Sequence, residues 1–598
     1  MNARVRPVHV RARLQLVALM LGLACASLVV RAVDLQVVRK DFYQEQGDAR
    51  YLRDLEIPVS RGTIFDRNGE PLAVSTPVES IWINPQELLE HAERIGELAG
   101  ATALDAQSLR ERVEERAKAG KEFVFIKRHL NPDDAQAVLK HAIPGVYSQR
   151  EFKRYYPSGE VMAHVLGFTN VDDQGQEGIE LAFNDWLSGK PGSKRVLRDR
   201  LGHQIENVEL LREAQPGRDL TLSIDRRIQY LAYRELMAGL RKHNAKSGSM
   251  VVLNAHSGEI LAMVNLPSYN PNARGNAPIE YRRNRAVTDV VEPGSTMKAV
   301  TIAAALASGK WKPETKVDTS PGTWSFYGHT FHDTHNHGVI DVTHVITVSS
   351  NIGAAKIGGS LPRADMYGVF HSLGFGEVSG SGFPGEAPGR LPIPREWGPV
   401  EQATISFGYG LNVTPLQIAR AYAAIADDGI LHTPTFVKGG GDAGEQVLDP
   451  KVAGEVLAML QTVVAKGGTA PTAAVPNYLV GGKTGTSHQS AAGGYSNRYV
   501  SLFTGIAPVS DPELVATVVI HDAGSNEAGL ITYAGGFVAA PVFARVMDGA
   551  LRLLDVPPDN VKTWYAGGAM PAPSVPAVPS RSEPDAETLG NMIEVATP

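Results

Sequence analysis

Residues Leu14 to Val30 form a seventeen-residue run whose only strongly polar members are Gln15 and Ser27, and the four arginines ahead of it, Arg4, Arg6, Arg11 and Arg13, have no acid among them. As a helix rising 1.5 Å per residue, the run is about 25 Å long, the low end of a bilayer span. One end of the chain therefore suits hydrocarbon, and the rest must fold beyond it. Two readings fit. A cleaved signal peptide would use Leu14 to Leu23 as its apolar region and Ala24-Cys25-Ala26 as its cleavage site. A retained anchor is the better reading, because the apolar run passes that site through Leu28, Val29 and Val30 and continues as Leu35, Val37 and Val38. Arg31, Arg39, Lys40 and Arg50 lie on the far side too, so charge gives only a slight lean to a cytoplasmic N-terminus. Lipidation of Cys25 is disfavoured, because Gly22 stands where a lipobox usually has Leu.

At 598 residues the chain is about four times the ~150-residue unit that sets a soft prior for one domain. Its 43% apolar and 20% charged residues, with Gly 60 and Pro 38, describe a globular chain with a real core. A net charge of −6 supplies no global basic field for gripping nucleic acid. The single cysteine, Cys25, permits no intramolecular disulfide. The texture divides the chain into a basic cytoplasmic segment (1–13), a transmembrane helix (14–33), a mixed, charged domain (41–216), a second domain (217–566) and a disordered Pro-rich tail (567–598). In the first domain, Leu104 to Ala119 and Pro132 to Leu139 read as helices. After Gly217, Asp219 to Ile224 alternates like a strand and Asp225 to Arg241 has helical spacing. Met250–Asn254 with Ile260–Val264 reads as a hairpin, and Val500–Ile506 with Leu514–Ile520 as a second pair. The expected class is α+β, with one sheet assembled from distant segments and helices packed on it.

Three short motifs carry chemistry. Ser295-Thr296-Met297-Lys298 is the chain's one S-x-x-K, and it opens an apolar helix, Ala299 to Ala307. A helix start would put Lys298 one turn on from Ser295, a nucleophile beside a possible base. Alone, the motif is better read as a helix cap followed by a surface lysine. Ser349-Ser350-Asn351 sits where a helical segment, Val342 to Val348, runs into Gly353, so that a hydroxyl and an amide could project from a turn. Lys483-Thr484-Gly485-Thr486 follows Tyr478, Leu479 and Val480. The adjacent Gly481 and Gly482 invite a phosphate-loop reading, but Asn477 stands where the first glycine belongs. A strand carrying Lys483 outward, with Gly485 leaving room for a substrate backbone, explains these residues better. The cluster His329, His332, Asp333, His335 and His337 invites a metal, yet it lacks an H-x-x-x-H helical pair. No metal and no cofactor is expected.

The ordered trio of Ser295/Lys298, Ser349/Asn351 and Lys483-Thr484-Gly485 resembles that of penicillin-binding proteins and serine β-lactamases. Arg61-Gly62-Thr63-Ile64-Phe65-Asp66-Arg67-Asn68-Gly69 with Leu72-Ala73 resembles the N-terminal signature of class B penicillin-binding proteins. Tyr156-Pro157, His164-Val165-Leu166-Gly167 and Gly178-Ile179-Glu180 look like later signatures of the same non-catalytic domain. Ser75-Thr76-Pro77-Val78, Ser80-Ile81-Trp82, Phe407-Gly408-Tyr409-Gly410, Val413-Thr414-Pro415 and Gly535 to Pro541 look like the division-specific branch, the FtsI-type or penicillin-binding protein 3 family. The resemblance runs from about residue 14 to 555.

That resemblance implies an elongated mixed pedestal over 41–216 and a penicillin-binding transpeptidase domain over 217–566, with a central antiparallel sheet flanked by helices. It implies a D,D-transpeptidase cross-linking peptidoglycan stem peptides at the division septum, anchored in a bacterial inner membrane with its catalytic domain periplasmic. Ser295 would attack the D-Ala carbonyl and Lys298 would take its proton. Ser349 and Asn351 would relay that proton and hold the substrate amide. Lys483 would keep a positive potential near the terminal carboxylate, with Thr484 and Thr486 contacting it, and the N–H groups of Ser295 and Thr486 would form the oxyanion hole. The implied partners are the D-Ala-D-Ala donor and amine acceptor, β-lactams, a membrane glycosyltransferase of the SEDS (FtsW) type and other division proteins, with no nucleic acid. The chain departs from the family after Thr486, where Ser487-His488 replaces a more basic residue and the loop to Gly493-Gly494-Tyr495 is short. Arg61, Asp66 and Arg67 are expected to form a buried ion-pair framework.

Two other classes use the same residues. One is a hydrolase, either a D,D-carboxypeptidase or a β-lactamase, and Glu292 is the nearest carboxylate that could serve as its second base. The other is a non-enzymatic scaffold or β-lactam sensor. The N-terminal domain argues against a plain β-lactamase, and the intact trio argues against a scaffold.

Overall fold

The computed structural model describes residues 10–42, 52–198, 204–275, 277–491, 494–524 and 533–560. The Pro-rich tail over 567–598 and the first nine residues of the basic segment lie outside them. The apolar run is helical as expected: α1 spans Val10–Val33, is exposed from Arg11 to Val33, and continues into a π-helical turn, Asp34–Val38. Among the described residues it is the one helix long and apolar enough to cross a membrane. Arg31 and Arg39 flank the Asp34 carboxylate at 2.7 and 3.1 Å.

The chain forms two compact units, one of residues 1–60, 77–152 and 189–217, the other of 61–76, 153–188 and 218–598. Gly217, where the texture of the sequence changes, is one of several points at which the chain passes between them.

In the first unit, β1 (Leu52–Ile57) belongs to a three-stranded antiparallel sheet with two later strands, Gly192–Arg198 and Gln204–Arg212. A separate core is built where the second half of β2 (Pro71–Ile83) pairs with β3 (Val124–Leu130). Ile81, Ile83, Leu98, Leu109, Val113 and Val138 fill it, drawn from these strands and three helices, Ile95–Thr102, Ala106–Lys118 and Pro132–Leu139. The helix expected from Leu104 starts later because the Asp105 side chain caps it, accepting the Ser108 N–H at 2.8 Å.

In the second unit the strand expected over Asp219–Ile224 shrinks to Leu220–Thr221, paired with Ile64–Phe65, because Asp225 already caps the helix Arg226–Lys242. The two expected strand pairs form. The first is β4 (Ser247–Asn254) with β5 (Ile260–Leu266), in register Met250 to Val264. The second is β9 (Gly494–Ala507) with β10 (Leu514–His521), after a hairpin β6 (Thr323–Phe326) and β7 (His329–His332) and the strand β8 (Gly481–Ala491). The sheet order is β5-β4-β10-β9-β8, antiparallel throughout, so segments more than 200 residues apart lie side by side and β8 is an edge. Arg226–Lys242 and Ala540–Leu553 pack together on this sheet, and Pro415–Ala426 and Pro450–Val464 form a second group of helices against it.

The expected framework of Arg61, Asp66 and Arg67 is an ion-pair cluster only in part. Buried Glu180 receives Arg61 Nε and Arg154 Nε, each at 2.6 Å. Asp66 instead accepts the backbone N–H groups of Asn68, Glu70 and Arg226, so its role is to fix a turn and a helix start. Arg67 pairs with Glu259 at 3.3 Å.

Candidate active site

Ser295 lies in a single 3-10 turn, Gly294–Thr296, that runs directly into the helix Met297–Ala307. Gly294 has φ +54°, and a Cβ there would come within 3.1 Å of the Thr486 carbonyl oxygen. Gly408, at φ +92°, comes so close to this turn that a Cβ would sit 2.0 Å from the Gly294 oxygen. The Ser295 turn is thus wedged between the 408 loop and the edge strand β8. Among the described residues the Ser295 hydroxyl makes no hydrogen bond.

Lys298, in the first turn of that helix, is buried. Its Nζ donates to the Ser349 carbonyl at 2.5 Å, to Asn351 Oδ1 at 2.7 Å and to Ser349 Oγ at 3.1 Å. Lys483 approaches the same hydroxyl from β8, its Nζ donating to Ser349 Oγ at 2.8 Å. Two amines therefore share one hydroxyl. The expectation that the strand carries Lys483 outward is corrected: the side chain is fully buried beneath the strand. A mid-strand lysine also excludes the phosphate loop.

Burial lowers the pKa of Lys298 to about 7, against the opposing charge of Asp333. Burial also pushes the Lys483 ammonium well down, and the charge of Lys298 adds to that. A lysine near neutrality is what a general base working at neutral pH requires.

Ser349 stands at φ +61° between two helices, Val342–Thr347 and Asn351–Gly359, a left-handed conformation uncommon for serine. Asp333, absent from the expected site, holds this turn. Its carboxylate accepts Ser350 Oγ at 2.5 Å and the N–H groups of Asn351 and Ile352 at 2.6 and 3.0 Å, at the positive end of the second helix. Asn351 Nδ2 donates to the His332 carbonyl at 3.1 Å. The only sequence signal for Asp333 was its place among the histidines. In the structure its carboxylate is engaged by the helix, while the His335 and His337 rings lie 6.2 Å apart. Burial lowers the pKa of His337.

Along β8, the Thr484 hydroxyl meets Thr469 Oγ1 at 3.1 Å. Thr486 Oγ1 accepts the Gly535 N–H at 3.2 Å, which leaves its own proton free to donate. A Cβ at Gly485 would meet the Pro293 oxygen at 2.8 Å and Thr296 Cγ2 at 3.1 Å, so a glycine is needed there to seat the strand on the Ser295 turn. Beyond Thr486 the rim is aromatic, with His488 on Tyr499 at 4.5 Å and Tyr499 stacked on Tyr533 at 3.7 Å. Glu292 is buried, and its Oε1 accepts the Gly410 N–H at 2.9 Å.

Residues 248–548 match the penicillin binding protein transpeptidase domain, and residues 56–222 match the penicillin-binding protein dimerisation domain. The chain belongs to the penicillin-binding protein transpeptidase family. It is 42% identical to the probable peptidoglycan D,D-transpeptidase PbpC of Pseudomonas aeruginosa, over 92% of this chain and 96% of that protein. It is 39% identical to the peptidoglycan D,D-transpeptidase FtsI of Escherichia coli K12, over 90% of this chain and 92% of that protein. A crystal structure of a peptidoglycan synthetase from Bifidobacterium adolescentis shares the fold, with TM-score 0.67 and 24% identity over 86% of this chain and 98% of that one.

Proposed function

We propose that this protein is a membrane-anchored serine D,D-transpeptidase that cross-links peptidoglycan stem peptides during septum formation, and that β-lactams block it by acylating Ser295. The observation that carries the reading is the Ser349 hydroxyl held by both Lys298 and Lys483, with Lys298 in the first turn of the helix that follows the Ser295 turn. Neutral Lys298 takes the Ser295 proton as Oγ bonds to the penultimate D-Ala carbonyl. The N–H groups of Ser295 and Thr486 stabilise the oxyanion, a contribution of about 3 kcal/mol per donor in comparable sites. When the C–N bond breaks, the proton passes from Lys298 through Ser349 to the departing D-Ala amine. An acceptor amine then attacks the ester, surrenders its proton by the same route, and Ser295 is restored. Lys483 and the Thr484 and Thr486 hydroxyls face the terminal carboxylate, whose negative charge favours the protonated lysine.

The hydrolase alternative needs a second base to activate water. Glu292 is the nearest candidate, and its bond to the Gly410 N–H turns it to a structural task. The apolar helix α1 supports an anchor in the inner membrane, with the catalytic unit in the periplasm, and the 39% identity to FtsI supports the septum. No glycosyltransferase motif precedes residue 217, so glycan polymerisation falls to a membrane partner of the SEDS type.

The test is intact-mass analysis of the full chain after penicillin treatment, followed by peptide mapping. One adduct, on Ser295, that survives many minutes is expected, and a thioester donor should turn over faster when a D-amino acid acceptor is added. Labelling of another serine, or rapid penicillin turnover that disappears in Glu292→Gln, would overturn the reading. A chain beginning at Tyr43 should still be acylated but fail to support division, whereas a mature protein beginning at Ser27 would refute the anchor.

A further inference from the structure

The hairpin of β6 and β7 is closed by two residues, Tyr327 and Gly328, since Phe326 pairs with His329. Both have positive φ, +49° and +81°, the geometry of a tight hairpin turn whose first position favours Asn or Gly. A tyrosine there holds the backbone in the left-handed region with a full side chain. Burial does not compensate, because Tyr327 is 73% exposed. Strain kept at an exposed ring points to a use for the ring.

The ring is backed by others. Phe326 meets it edge-on at 4.7 Å, and Trp324 stacks on Phe326 at 4.5 Å with Lys356 Nζ 5.4 Å from its centre. The series continues inward from Trp324 to Phe331, Phe407 and Tyr409, with centroids 5.6, 5.9 and 5.7 Å apart. Tyr409 ends it by donating its hydroxyl to the Thr486 carbonyl at 3.3 Å. The other strand of the hairpin ends at His332, whose carbonyl holds Asn351. The hairpin is thus built into the border of the site, with its tyrosine facing solvent.

We propose that the hairpin tip, Tyr327 backed by Phe326 and Trp324, is a saccharide platform that takes the glycan strand from which the stem peptide hangs. The inference rests on the transpeptidase reading, under which the substrate is a peptide borne on a polymer of amino sugars. A pyranose has an apolar C–H face and a polar rim, which suits a flat ring carrying a hydroxyl. The surroundings match that rim: Ser325 and Thr330 pair their hydroxyls at 3.3 Å across the hairpin, and His329 stands exposed beside the turn. A protein partner would require a broader apolar patch than one exposed ring amid hydroxyls.

The full-length protein in detergent can be given two donors with the same pentapeptide, one on uncross-linked glycan strands and the other released from them by an amidase. Tyr327→Asn removes the ring and installs the Asn-Gly pair the turn prefers, so its melting temperature should not fall. On the glycan-linked donor its KM should rise about tenfold at unchanged kcat, while on the free peptide both constants should stay within about twofold of wild type. Peptide-stripped glycan strands should inhibit the wild type competitively and the variant weakly, and Tyr327→Phe, which keeps the ring and loses its hydroxyl, should fall between the two. Equal loss on both donors, or no change on either, overturns the proposal. A variant that is normal on both donors yet fails in cells assigns the tip to a protein partner and overturns it too. If the wild type uses neither donor, the transpeptidase reading itself fails.

Discussion

Under the transpeptidase reading Lys298 sets the pH dependence of acylation, and its burial gives the profile a definite shape. Its ammonium is buried against Ser349 and Asn351, and burial brings its pKa to about 7. Only the neutral amine can accept the Ser295 proton, so the second-order acylation constant should rise with pH and level off. For a group titrating near 7, the neutral fraction is about 9% at pH 6 and about 91% at pH 8, an increase of about tenfold that then saturates. An ordinary lysine near 10.4 would give an increase of about a hundredfold over the same range, with no plateau. The probe should be a thioester without a carboxylate, because an anionic ligand would draw Lys483 into the measurement. A hundredfold unsaturating rise would refute the buried-base argument, and a flat profile would show that the proton goes elsewhere. Lys298→Met should abolish the limb with every acyl donor.

Three further outcomes follow from the same geometry. A ligand carboxylate placed near Lys483 should raise the pKa that burial has lowered, so binding to Ser295→Ala near pH 8 should take up a proton. Buffer-dependent binding heats would measure this uptake, and it should vanish when Lys483→Met is added. The Asp333 charge raises the Lys298 pKa, so Asp333→Asn should move the acylation limb to lower pH, whereas loosening of the turn would admit water and move the limb to higher pH. Glu180→Gln leaves Arg61 and Arg154 buried without their shared anion and should cost about 3–5 kcal/mol in denaturant unfolding, with a shift of less than about 1 kcal/mol refuting the buried triad.

The sequence foretold the helix from Asp225, the two strand pairs and the S-x-x-K turn because each rests on local rules of period, cap and turn. It misjudged residues whose orientation is set by distant neighbours. Lys483 lies on an edge strand, where alternation alone places a lysine toward water. Only the arrival of Ser349, 134 residues earlier in the chain, turns the buried side into a polar one. At Gly485, Pro293 and Thr296 pack so closely that no side chain fits, a contact no single segment encodes. Asp333 was seen only as one of five groups suited to a metal, since nothing in its own neighbourhood shows that a helix beginning at Asn351 will present N–H groups to it.

These misjudged residues share a physical logic that bears on the chemistry. Lys483 and Asp333 each bury a charged group by fitting it to another segment of the chain, Lys483 on Ser349 itself and Asp333 on the adjacent Ser350 and Asn351, while Gly485 admits the Pro293 turn. Ser349 itself occupies a left-handed conformation that neither adjoining helix would impose. Asp333 fixes that turn from one side, and the two lysines converge on its hydroxyl from the other. An amine brought to neutrality by burial stays useful as a base only while its hydrogen-bond acceptors remain in place, since loosening the turn would admit water and return the lysine to its ordinary protonated state. The strained turn and the depressed lysine are therefore one device. It explains why the catalytic domain joins residues from 295 to 486 into a single core around one hydroxyl, where a local motif would have left Lys298 exposed and charged.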